Sequence, residues 1–263
     1  MTEPTALPAP LPEPDHQHTG IAAAQAREVA QQQAMFAVAA THRRNPDELR
    51  QNLLKECANP VFADKAIYNL EFGNEPVRGP TIRFAEGAMR HIRNAGIESV
   101  MVSDTPTIGN RCGRRTWRCT FMDFENVRPW TDEFTIDKSI ERRNPGDRVV
   151  FGTRQNAKGD SVFVVSCTDA ELLAKENAAK SKSIRNLILR WLDPDLLADC
   201  SEAIHKTNLG EAEKNPEQAR RQMIDGFDQV GVPVAELETY VGQPLTTLSP
   251  VQIVELRELW SAL

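Results

Sequence analysis

Residues 110–121 read NRCGRRTWRCTF, and from Thr116 onward polar and apolar side chains alternate. Successive side chains of a β-strand point to opposite faces of the sheet. The alternation predicts a strand that directs Arg114 and Arg118 to one face and Trp117 and Phe121 to the other. We expect the tryptophan face to pack in the core and the arginine face to lie outward.

The same type of pattern continues on both sides of this strand. Apolar and β-branched runs at 97–104, 128–140, 148–153 and 161–167 are separated by segments rich in Gly, Asn and Pro. The segment NAKGD at 156–160 is typical of a tight turn between two strands. The sequence therefore predicts a meander of three to five antiparallel strands.

Helical patterns lie before and after the predicted strands. Asn45-Pro-Asp-Glu48 and Thr168-Asp-Ala-Glu171 are typical helix starts, with a capping residue followed by acidic residues in the first turn. Ser249-Pro-Val-Gln252, near the end of the given sequence, matches a capping residue, a proline at the first helical position and a capping-box glutamine. The predicted helices cover 21–41, 46–57, 81–94, a long helix from 171 to about 192 that ends there or restarts to about 205, and short segments beyond 216.

These predictions define an α+β fold: an antiparallel meander packed with a long helix and N-terminal helices, plus a small C-terminal helical domain. Residues 1–19 are rich in proline and poor in large apolar groups, so we predict a disordered tail. The core domain then covers 20–208, residues 209–215 form a polar linker, and 216–263 form the C-terminal module.

Charge is distributed unevenly along the chain. The formal net charge is −6, with 31 Lys and Arg against 37 Asp and Glu. Between Arg78 and Lys158, however, there are 15 basic and 10 acidic residues. A positive middle segment in an acidic chain indicates a polyanionic partner for that segment.

Several classes of function have no support in the sequence. It contains no phosphate-binding glycine loop, no nucleophile elbow, no HExxH and no dinucleotide fingerprint, so we expect no ATP-driven motor and no cofactor. The five cysteines have no zinc-binding spacing, which favours reduced thiols. Without a signal peptide or an apolar run long enough to span a membrane, we expect a cytoplasmic protein with no membrane partner.

Two segments carry a resemblance to a known family. The segment GPTIRFAE at 79–86 and the helix AAKSKSIRNLILRW at 178–191 are similar to motifs of phage single-strand annealing proteins of the RecT/Red-beta type, in the Rad-fifty-two-like superfamily. The resemblance covers roughly 22–205, and Ser181 and Ser183 depart from its small and basic pattern. The matching positions are Gly79, Pro80, Ile82, Arg83, Ala85, Glu86, Lys182, Ile184, Arg185 and Leu189.

The resemblance implies an ATP-independent protein, not an enzyme, that forms rings or filaments and anneals complementary DNA strands in homologous recombination. DNA would lie in a positive groove between the meander and the helices. Arginine suits this role because its planar guanidinium binds phosphate oxygens in a bidentate manner. Charge, spacing and resemblance together predict the DNA-binding residues Arg83, Arg114, Arg118, Arg128, Lys138, Arg142, Arg143, Arg148, Arg154, Lys158, Lys175, Lys182 and Arg185.

Other functions remain open at this stage. One alternative is a single-strand DNA-binding protein that protects DNA without annealing it. Another is an Mg²⁺-dependent nuclease that uses Asp123, Glu125 or Asp137. For the C-terminal module, we predict a docking site for a partner exonuclease or a host single-strand-binding protein. The alternative for its apolar residues Ile253, Leu256, Leu259 and Trp260 is packing within the module itself.

Overall fold

The computed structural model describes residues 16–72, 75–156 and 159–260. Residues 1–15 of the predicted tail and the candidate Lys158 lie outside this described part. Residues 16–19, assigned to the tail from sequence, form the start of the first helix.

Three of the helices begin at the predicted capping residues. The Asn45 side chain accepts a hydrogen bond from Asp47 N, Thr168 and Glu171 form the predicted capping box, and Ser249 pairs with Gln252 in the same way. The helices of the described residues are α1 His16–Thr41, α2 Pro46–Cys57, α3 Pro60–Ala63, α4 Ile82–His91, α5 Asp169–Trp191, α6 Pro194–Lys214, α7 Pro216–Gln229, α8 Val234–Val241 and α9 Pro250–Trp260, with a 3-10 turn at Leu245–Thr247.

The strands of the described residues are β1 Ile67–Phe72, β2 Glu75–Pro80, β3 Ala95–Thr105, β4 Arg114–Asp123, β5 Arg128–Asp137, β6 Ser139–Arg142, β7 Val150–Gln155 and β8 Ser161–Ser166. These strands form three antiparallel sheets, which confirms the α+β class. The hairpin of β1 and β2 was not predicted, and the second three-stranded sheet has the order β6-β8-β7, not that of a meander. Among the described strands, β3-β4-β5 alone forms a meander.

The predicted strand at 128–140 is divided between two sheets at Lys138. The Lys138 amide donates to Gly113 O at 2.9 Å, and its carbonyl accepts from Cys167 N at 3.2 Å. The Lys138 amide makes its hydrogen bond next to the first three-stranded sheet, and the Lys138 carbonyl makes its hydrogen bond next to the second. This residue therefore joins the edges of the two sheets. Helix α5 packs against β4 and β5 beside this junction.

The core of the main unit lies between the inner face of β3-β4-β5 and the helices. Cys119 and Phe121 of β4 are fully buried there, as the alternation predicts. The Phe121 ring lies 5.6 Å from that of Trp191, at the end of α5. Apolar side chains of α2, α4, α5 and α6 complete this core, including Leu53, Ala85, Ala88, Ile188 and Ile204.

The C-terminal helices have an apolar core of their own, built around Met223, Phe227 and Ile253. The residues predicted as a linker are mostly helical, because α6 continues to Lys214 and only one residue separates it from α7. A continuous helix is favoured here because its buried face places Ile204 in the main core and Ala212 in the C-terminal core.

Candidate nucleic-acid interface

Arg114 and Arg118 lie on the outward face of β4, as predicted, but both are engaged in ion pairs. Arg114 Nε lies 2.7 Å from Asp137 Oδ1, and Arg118 Nη2 lies 3.0 Å from Glu133 Oε2. In each case the partner occupies the directly opposite position on β5. Cross-strand register therefore provides each arginine with a carboxylate, which sequence spacing alone did not predict.

Arg115 points to the inner face and has a structural role. Its guanidinium donates to buried Glu176 of α5 at 3.0 Å and to Asp104 at 2.9 Å. Asp104 also pairs with Lys138, one of the predicted DNA-binding residues, whose side chain is only 18% exposed. Hydrogen bonds from Lys138 and then from Arg115 lower the pKa of Asp104. Lys138 therefore helps to fix the end of the sheet.

The arginines at the end of β6 and in the loop before β7 lie near the start of α5. Arg142 and Arg148 both bind Glu171, the acidic member of the capping box. Hydrogen bonds from Arg148, the Thr168 amide and Arg142 lower the pKa of Glu171 to about 2. Arg143 is far more exposed, and its guanidinium lies 3.4 Å from Asp160. Two of these three predicted DNA-binding arginines thus support the helix terminus.

An open cleft beside the sheets runs between α5 and the strands on either side of Lys138. We call it the α5 cleft, and its volume is about 910 Å³. Lys175 and Lys182 both line it, which confirms the prediction that two lysines seven residues apart share a face of the helix. The lining residues are Thr135, Ile136, Asp137, Ser139, Ile140, Glu141, Arg154, Val164, Lys175, Ala178, Ala179 and Lys182.

The three cations of the α5 cleft differ in their contacts. Lys175 Nζ donates to the backbone carbonyls of Asp137 at 2.8 Å and Ser139 at 2.7 Å, so it ties α5 to the junction of the sheets. Arg154 Nε lies 2.8 Å from a carboxylate oxygen of Glu141. Lys182 is exposed and has no ion-pair partner among the described residues. Lys182 is therefore the cleft cation most accessible to an anion.

Arg128 and Arg185 contact aromatic rings. The Arg128 guanidinium lies 4.8 Å from the centre of the Trp130 ring, and that of Arg185 lies 5.4 Å from the Tyr68 ring. Such contacts are favourable because the ring face carries negative charge density. The Arg185 contact was missed from sequence because the hairpin that carries Tyr68 was not recognised.

Trp117, which was predicted to face the core, and Arg83, the last of the predicted DNA-binding residues, also contact charged side chains. Lys180 Nζ lies 3.4 Å from the centre of the Trp117 ring, on the inner face of the sheet. Arg83 is 71% exposed on α4, and its nearest carboxylate is Glu86, 3.5 Å away on the same helix. The predicted cations thus fall on several surfaces, and the α5 cleft brings three of them together.

The acidic residues considered for a nuclease are held in ion pairs. Asp123 is 2% exposed and binds Arg44, accepts from Trp191 Nε1 at 3.1 Å and from Asn126 Nδ2 at 2.7 Å. Burial raises the pKa of Asp123, but these hydrogen bonds lower it by more than burial raises it. The net shift of the pKa is therefore downward. Glu125 lies 3.2 Å from the Arg44 Nε. Within the described residues, no group of three His, Cys, Asp or Glu side chains is placed to hold a metal ion.

The apolar stripe of the C-terminal module packs inside that module. Ile253 and Leu256 are buried, and Leu259 and Trp260 pack against the same core. The module also contacts the main unit, where Arg257 binds Asp64. A docking partner would therefore meet other residues of its surface.

Comparisons with known proteins return no relatives. No protein-family model, no curated protein and no solved structure matches this chain. Among the described residues, no helix is both long enough and apolar enough to cross a bilayer. A functional interpretation therefore depends on the residues of the chain itself.

Proposed function

We propose that this protein binds single-stranded DNA and anneals complementary strands without ATP, as an oligomer in homologous recombination of the RecT/Red-beta type. Its place of action would be the cytoplasm of a bacterial host. The observation that carries the proposal is that Lys175, Lys182 and Arg154 all line the α5 cleft, which is open beside the sheets. Lysine and arginine bind the DNA backbone without regard to sequence, as annealing requires.

The aromatic side chains of this region support annealing over simple protection. Protective single-strand binders stack bases on exposed aromatic rings. Here Trp117, Trp130 and Tyr68 are each covered by a cation of the same chain. DNA held by its phosphates in the α5 cleft would keep its bases free to pair with a second strand.

The size of the cleft argues for assembly into oligomers. Lys175 and Lys182 are two helical turns apart, which is roughly 10 Å along α5. One subunit would therefore hold only a few nucleotides, and stable pairing would need many subunits side by side. Exposed apolar residues suited to subunit contacts are available on α1 and β3, including Val29, Val38, Val100, Met101 and Val102.

The proposal is tested by annealing two complementary dye-labelled oligonucleotides without ATP across a salt series. We expect acceleration over the spontaneous rate that fades as salt rises, because phosphate contacts release counterions. A double variant Arg154→Gln with Lys182→Ala should lose most of the acceleration. The control variant Lys55→Ala removes an exposed lysine of α2 that does not line the cleft, and this variant should keep the acceleration. DNA binding that slows annealing would indicate a protective binder, and an absence of binding at all salt concentrations would refute the proposal.

We also propose that the C-terminal module binds a partner exonuclease or a host single-strand-binding protein. The support is its separate core, which lets the module present a surface independent of the cleft. A chain truncated after Asn215 should still anneal oligonucleotides but lose binding to the purified partner. Retained partner binding would place the docking site on the main unit.

A further inference from the structure

The α5 cleft contains carboxylates as well as cations. Asp137 and Glu141 both line it, and each is bound to an arginine: Asp137 to Arg114 and Glu141 to Arg154. The cleft is therefore not a continuous basic surface. In the free protein, carboxylates occupy the guanidinium groups that a phosphate would contact.

The exposure of these two ion pairs shows that they contribute little to the fold. The side chains of Arg114 and Asp137 are 66% and 51% exposed, and those of Arg154 and Glu141 are 59% and 40% exposed. Exposed ion pairs add little stability because solvent screens them and both side chains lose freedom. A phosphate anion could replace either carboxylate without unfolding any element.

Two other ion pairs of this region are of a different kind. Arg115 binds Glu176, which is only 4% exposed, and Arg148 binds Glu171 at the start of α5. Those carboxylates are shielded by the fold or complete a helix cap. The exchangeable pairs that line the cleft are those of Asp137 and Glu141.

We propose that Asp137 and Glu141 are built-in competitors for DNA, which occupy Arg114 and Arg154 until the phosphates of a bound strand displace them. This inference rests on the proposed function and concerns how tightly the same cleft holds DNA. Each displaced carboxylate stays near the cleft and repels the bound strand. The two acids therefore weaken binding and allow a strand to be released after pairing.

The test compares the amide variants Asp137→Asn and Glu141→Gln with the unchanged protein in full-length form. Binding of a dye-labelled oligonucleotide is measured by fluorescence anisotropy across a salt series. Each variant should bind about fivefold more tightly near physiological salt, the effect of removing one like charge at close range in water.

The matched control is Glu217→Gln, which removes one negative charge from α7, where the carboxylate is 80% exposed and 4.0 Å from Arg221. It separates the local effect from that of net charge. Equal tightening in all three variants, or weaker binding by the cleft variants, would overturn the inference. If the unchanged protein binds and the cleft variants match it, the inference fails while the proposed function stands. If neither the unchanged protein nor the variants bind, both fail.

Discussion

The two lysines of the α5 cleft should respond differently to removal, although they lie on the same face of one helix. Lys182 is exposed without an ion-pair partner among the described residues, whereas Lys175 donates to the carbonyls of Asp137 and Ser139. Replacing Lys182 by alanine should therefore affect DNA binding, and replacing Lys175 should affect folding stability as well.

The magnitudes follow from these contacts. Loss of the Lys182 charge next to one phosphate removes about 1 kcal/mol in water, which corresponds to roughly fivefold weaker binding. The log–log salt slope should become shallower by about 0.7, the value for one phosphate contact on a single strand. For Lys175→Ala, two hydrogen bonds from a charged donor are lost at a half-buried site, and we expect a loss of about 1–2 kcal/mol in the free energy of unfolding.

Fluorescence anisotropy with a labelled oligonucleotide measures binding, and urea denaturation followed by circular dichroism measures stability. Lys182→Ala should unfold at the same urea concentration as the unchanged protein, since it has no described partner to lose. The reasoning is refuted if Lys182→Ala destabilises the fold while leaving the salt slope unchanged. It is also refuted if Lys175→Ala has no effect on stability.

The remaining predictions concern the stability of the main unit and of the C-terminal module. Asp123→Asn should lower the free energy of unfolding by about 3 kcal/mol, because it leaves the charge of the Arg44 guanidinium poorly compensated in a buried site. A loss below about 1 kcal/mol, measured by urea denaturation, would contradict this prediction. The carboxyl of Glu171 has its pKa lowered from 4.5 to about 2, so its stabilising contribution is complete above the unfolded-state value and is lost as pH falls between these two values. The stability difference between the unchanged protein and Glu171→Gln should accordingly shrink on acidification, and a difference that is constant with pH would argue against the ion pairs. Gly226→Ala should destabilise the C-terminal module by about 1 kcal/mol in thermal denaturation, because the new methyl group would lie 2.9 Å from the tryptophan ring of α9. Gly210→Ala, where the added methyl group has open space, should instead stabilise α6 by about 0.5–1 kcal/mol, and the reverse order would refute this packing argument.

Some interactions of this site could not be read from sequence because they join distant segments. The ion pair of Arg154 and Glu141 crosses the intervening strand β8, since the order β6-β8-β7 separates the two strands that carry them. The sequence predicted a simple meander, and the strand order of a meander places no strand between the two that carry this ion pair. Similarly, the contact of Arg185 with Tyr68 depends on the β1–β2 hairpin, whose alternation is too weak to identify it.

The sequence by itself determined the faces of β4 and the starts of the helices. Alternation at Arg114 and Trp117 sets opposite faces because the strand period is two, and the capping boxes act within four residues of chain. These features are local, so no distant segment can alter them without removing the element. The shared face of Lys175 and Lys182 follows from the helical period in the same way.

Only the tertiary structure decided which cations are accessible. Whether a guanidinium meets solvent or a carboxylate depends on strand register and on where α5 crosses the sheets. Register placed Asp137 beside Arg114 and Glu133 beside Arg118, and the helix start placed Glu171 beside Arg148. Charge counts along the chain cannot separate an exposed arginine from a paired one, because pairing is set by distances in space.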